Sequence, residues 1–209
     1  MPDRDQGTGE EEEPQEALRA IGSPEGWLED HRRRDNRHAF LTEAERLWRG
    51  MKQALLVIDV QPSFDPPEWQ VQGIARLAST MLSVATVERH DESVTPFWGQ
   101  LGWKPAPDDD PLVRTDRLFV KHGYSPPVAL IAYLKEEDVG RVLVCGIQAD
   151  TCCLAAGFML FDAGLYPTML QWLTVGSSLD RSANLGAHLW RHHFGAESVI
   201  VNEQELPDG

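Results

Sequence analysis

Three side chains of this 209-residue chain could do chemistry together. Asp59 closes the apolar run ALLVID, Lys121 follows the run RLFV, and Cys152 lies a short loop beyond the run RVLVC. A thiol becomes a strong nucleophile as the thiolate, and the first turn of a helix favours that anion. Residues 151–161 read as a helix, which puts Cys152 in its first turn. Unpaired N–H groups in that turn, near Thr151 and Cys152, could hold the oxyanion formed when a carbonyl is attacked. Lys121 could stabilise the thiolate, and Asp59 could take the thiol proton and return it to a leaving amine. These parts suffice for acyl transfer to water through a thioester, with no cofactor.

Each residue also has an ordinary reading. A buried cysteine is commonly a small hydrophobe, which suits Cys145 at a strand end and Cys153 beside Cys152. Asp59 alone could be a turn former and Lys121 alone a surface lysine. Three thiols within nine positions, without a CxxC pair, suit neither a disulfide framework nor structural zinc. His188 and His192 stand four apart and fit an exposed helix face. The chain has no G-x-S-x-G elbow, no H-E-x-x-H and no glycine-rich phosphate loop.

The weight comes from the elements that would carry the three residues. Strands are expected over 54–59, 84–87, 117–120, 141–145, 167–173 and 198–201. Helices are expected over 73–82, 128–134, 151–161 and 183–193. This alternation predicts an α/β fold, an open parallel sheet with helices on both faces. Ligands of such sheets bind beyond the carboxyl ends of the strands, and Asp59, Lys121 and Cys152 all fall there. Residues 1–50 carry the acidic run Glu10–Glu13 and the basic run Arg32–Arg34 but few apolar residues. They read as a charged, largely disordered extension ahead of a folded domain over 51–209, with Thr42 and Glu45 spaced to cap one short helix. A net charge of −14 and a pI near 4.8 disfavour nucleic acid as a partner. No apolar run approaches the roughly 20 residues that span a bilayer, and the acidic start is unlike a signal peptide. The expected location is the cytoplasm.

Three segments carry a more specific signal: LLVIDVQPSF, FVKHGYSP and GIQADTCCLAAGFMLFDAG. In order and spacing they resemble the isochorismatase-like family of cysteine hydrolases over nearly all of residues 51–205. The resemblance implies a Rossmann-like sheet of order 3-2-1-4-5-6, a catalytic set of Asp59, Lys121 and Cys152, and a non-proline cis peptide near Ile147–Gln148. It implies oxyanion or substrate contacts from Gln61, Phe64, Gln148, Thr151, Trp98 and Tyr124; Trp98 and Trp103 suit a pocket wall or a cap on the core equally. It further implies a small-molecule substrate and a homo-oligomer. No metal is expected, because Glu88 and His90 match only part of the ligand set of metal-dependent nicotinamidases. Ala149 and Gly176–Ser178 depart from the family pattern. The leading expectation is hydrolysis of a C–N bond in a small amide or carbamoyl compound. Alternatives are an isochorismate-type vinyl ether hydrolase and a non-catalytic redox-sensing or interaction domain.

Overall fold

The computed structural model describes residues 50–206. The expectations for residues 1–49, including the capped helix near Thr42, lie outside them. Six strands, β1 (Lys52–Ile58), β2 (Ser83–Glu88), β3 (Arg117–Lys121), β4 (Val139–Ile147), β5 (Tyr166–Val175) and β6 (Val199–Ile200), form one sheet. Its order is β3-β2-β1-β4-β5-β6 and every pairing is parallel, as expected.

Strand residues alternate between two apolar layers because successive side chains point to opposite faces. Leu55, Val57, Leu143 and Cys145 meet helix α1 (Glu68–Ala78) through Ile74 and Ala78. Leu56, Ile58 and Val144 pack with Leu130 and Leu134 of α3 (Val128–Glu136) and Ala156 and Leu160 of α4 (Cys152–Asp162). Ala187 and Trp190 of α5 (Asn184–Phe194) belong to the same layer. A short helix, α2 (Phe97–Leu101), lies between β2 and β3 and was not expected from the sequence.

Helix boundaries differ from expectation at α1. The helix begins at Glu68 because Pro67, in extended conformation, is its N-cap, and it ends at Ala78 rather than 82. The hydroxyls of Ser79 and Thr80 donate back to the carbonyls of Arg76 and Leu77 at 2.7 and 2.8 Å, closing the last turn. The other helices match to within a few residues. His188 and His192 are exposed on α5, while Cys145 and Cys153 are fully buried.

The sheet positions the site through its strand ends. Asp59 directly follows β1 with φ 49°, a left-handed turn that carries the chain off the strand. Glu88 ends β2 and pairs in register with Lys121, which ends β3. After β4 the chain passes the cis Ile147–Gln148 peptide and enters α4 at Cys152.

Candidate active site

Four chain segments meet around the Lys121 ammonium, which is only 2% exposed. Nζ donates to Glu88 Oε2 at 2.6 Å, to the Gly123 carbonyl at 2.6 Å and to Cys152 Sγ at 3.4 Å. Asp59 Oδ2 lies 2.8 Å from Nζ as an ion pair, though not aligned as a hydrogen bond. The other oxygen of Asp59 accepts from the Thr86 hydroxyl at 2.8 Å. One cation therefore faces two carboxylates and a thiol in a space closed to bulk water, where charges interact far more strongly than in solvent.

That imbalance decides where the protons rest. Burial first, then the charge of Asp59, pushes the Cys152 thiol up to about 12, and Lys121 offsets this only in part. The expected stabilisation of a thiolate by Lys121 therefore meets an opposing pull, from burial and from the Asp59 charge. Burial alone would lower the Lys121 pKa, but Asp59, Cys152 and Glu88 together hold it above the usual lysine range. Glu88 lies above the usual carboxylate value because burial outweighs the opposing pull of Lys121.

Cys152 and Glu88 open onto a cavity of about 270 Å³. Of the residues expected there, Phe64, Tyr124, Gln148 and Thr151 line it together with Cys152. Gln61 does not. It is fully buried, donating to the Glu88 carbonyl at 3.1 Å and Asp109 at 3.0 Å and accepting from the Glu88 N–H at 2.7 Å. Gln61 thus braces the end of β2. Trp98 is 58% exposed with the Lys104 ammonium 5.7 Å above its ring, whereas Trp103 and Phe97 line the cavity in its stead. The helical turn explains the difference: Phe97 and Leu101, four apart on α2, share the side that lines the cavity. At the start of α4, the N–H groups of Thr151 and Cys153 both donate to the Gln148 carbonyl, at 3.1 and 3.0 Å. The Cys152 N–H between them makes no backbone hydrogen bond among the described residues.

Glu88 is the member of the cluster whose contact with Lys121 the sequence reading missed. The strand-end rule that singled out Asp59 and Lys121 applies equally to it. Its spacing to His90 also matches part of a metal-ligand set. The residues present do not fit a metal centre. Glu88 Oε2 is taken by an ammonium, and His90 Nε2 pairs with Glu92 at 3.0 Å. Among the described residues no three His, Cys, Asp or Glu side chains come together to hold an ion.

The Isochorismatase domain matches residues 53–186. The chain belongs to the isochorismatase family. Solved structures agree on the fold of this isochorismatase-like hydrolase. A nicotinamidase/pyrazinamidase from Acinetobacter baumanii superposes with a TM-score of 0.61 at 18% identity, covering 75% of this chain and 99% of that one. An N-carbamoylsarcosine amidase from Thermoplasma acidophilum gives 0.59 at 17% identity, covering 76% and 100%. A pyrazinamidase from Pyrococcus horikoshii, solved in complex with zinc, gives 0.59 at 19% identity, covering 72% and 98%. No curated protein matches the sequence significantly. Among the described residues, no helix of this isochorismatase-family chain is long and apolar enough to cross a membrane.

Proposed function

We propose that this isochorismatase-family protein hydrolyses a C–N bond of a small amide or carbamoyl compound through a thioester on Cys152. The observation that carries this reading is the Lys121 ammonium, in reach of Asp59, Glu88 and the Cys152 sulfur at the edge of a cavity.

Burial and the Asp59 charge favour the protonated thiol, so the reaction needs a base, and Asp59, which shares the Lys121 ammonium with the Cys152 sulfur, is that base. As the substrate carbonyl carbon is attacked, an S–C bond forms and the thiol proton passes to Asp59. The carbonyl oxygen becomes an oxyanion, held by the Cys152 N–H, which the helix start leaves available. Asp59 then protonates the leaving nitrogen as the C–N bond breaks and a thioester remains. Water attacks the thioester, giving one proton to Asp59. Collapse of the second tetrahedral species expels sulfur, which recovers that proton, and a carboxylic or carbamic acid leaves. Lys121 stays protonated throughout, as its three carboxylate and thiol neighbours dictate. It stabilises negative charge on sulfur and on Asp59 in turn.

Mass spectrometry of the protein quenched during exposure to a library of small amides tests this. The expected result is an acyl adduct on Cys152, absent from a Cys152→Ala variant that also lacks turnover. A Cys152→Ala protein with undiminished amidase activity would exclude the reading.

A further inference from the structure

We propose that Glu88 sets the charge selectivity of the cavity: its Oε1 receives an N–H group of an uncharged or cationic substrate, and amides bearing a carboxylate are refused. This rests on the reading above for which site is used, and adds the class of compound that the site takes.

Glu88 lines the cavity, yet only one of its carboxyl oxygens is used. Oε2 takes the Lys121 ammonium at 2.6 Å, while Oε1 is buried without a hydrogen-bond partner. A carboxyl oxygen shut away from water and left unpaired is a vacancy for a donor. Lys121 holds the carboxyl through Oε2, and Gln61 holds the backbone of Glu88 on both its N–H and carbonyl sides. A donor on a substrate that settles against Glu88 would fill that vacancy.

The rest of the lining points the same way. The rings of Phe64, Phe97, Trp103 and Tyr124 supply apolar walls whose π faces attract a cation rather than an anion. None of the described lining residues is a lysine, arginine or histidine. Lys121 offers no relief, since its three donors already go to Glu88, Gly123 and Cys152, with Asp59 beside them. With one ammonium against Asp59 and Glu88, the cluster carries a formal charge of −1 before any substrate arrives. A substrate carboxylate would meet that charge with no basic group to receive it, and like charges brought together without solvent repel strongly. The same reasoning disfavours isochorismate, a dicarboxylate, as the substrate.

The test separates selectivity from turnover by measuring binding to the full-length Cys152→Ala protein. Benzamide, 3-(aminomethyl)benzamide and 3-carbamoylbenzoate are titrated in turn by calorimetry. The first two are expected to bind at least about tenfold more tightly than the carboxylate. In Glu88→Gln/Cys152→Ala, which keeps the shape and loses the charge, the advantage is expected to shrink below about threefold. Glu88→Asp/Cys152→Ala keeps the charge and is expected to keep the preference. Equal or tighter binding of the carboxylate, no binding of the uncharged probe, or an unchanged ratio in a folded Glu88→Gln variant overturns the inference. Wild-type turnover of the same probes distinguishes the two readings. Selective binding without hydrolysis removes the hydrolase proposal alone, and hydrolysis without charge preference removes this one alone.

Discussion

Gly146 packs so closely on Ile58 that a Cβ added to it would lie 2.1 Å from the Ile58 carbonyl oxygen. Ile58 immediately precedes Asp59, and Gly146 has φ 121°, which side chains rarely tolerate. The contact therefore fixes where β1 ends and where the Asp59 carboxylate starts. Gly146→Ala is expected to destabilise the fold by about 2–4 kcal/mol, from backbone strain plus overpacking. It should also reduce kcat/KM by displacing Asp59. Urea unfolding followed by circular dichroism, with amidase kinetics below the transition, checks both.

Among the described residues Lys121 is the one cation between two buried carboxylates, so its removal leaves uncompensated charge. Lys121→Met is expected to cost about 3–5 kcal/mol and all detectable turnover. Adding Asp59→Asn and Glu88→Gln to it should recover much of the stability and none of the activity. Lys121→Arg is not expected to rescue, because a flat guanidinium cannot replace a compact ammonium among four surrounding acceptors. Equal unfolding free energies for the single and triple variants would show that unpaired charge is not the source.

Asp59 and Lys121 pull the Cys152 thiol in opposite directions, Asp59 raising it and Lys121 lowering it. Neutralising the carboxylate should therefore free the thiolate while removing the base. Asp59→Asn is expected to lose turnover yet react with iodoacetamide at pH 8 faster than wild type, on the order of tenfold. Alkylation rates followed by intact mass decide it. Slower labelling in the variant would show that Asp59 activates rather than restrains the resting thiol.

Much of this arrangement was legible in the sequence, for a definite reason. Buried parallel strands read as continuous apolar runs, and charged residues at their ends, such as Asp59 and Lys121, stand out against them. What was not legible depends on three-dimensional neighbours. The resting state of Cys152 turns on a balance between burial and two opposed charges that spacing does not reveal. The choice of Phe97 over Trp98 turns on how a five-residue helix is rotated. Gln61 sits in a matching motif, yet its amide is consumed in holding Glu88 and Asp109.

Cys145, Cys152 and Cys153 all hold their protons above the usual thiol range, each chiefly because burial penalises the anion. In the unfolded chain a thiol ionises near pH 8.5. Above that pH the folded protein binds more protons than the unfolded one, so stability is complete below it and is lost as pH rises. Each buried thiol contributes at most about 1.4 kcal/mol per pH unit. A window of about pH 8.5–9.5 stays below the ordinary tyrosine and lysine range, and arginine keeps its proton throughout. Within that window the unfolding free energy is expected to fall with pH. Cys145→Ala should lower stability at pH 8 through the cavity it leaves, yet flatten the slope by about one thiol's share. Urea titrations at closely spaced pH values measure both quantities, and a slope unchanged by Cys145→Ala would assign the alkaline loss to other groups.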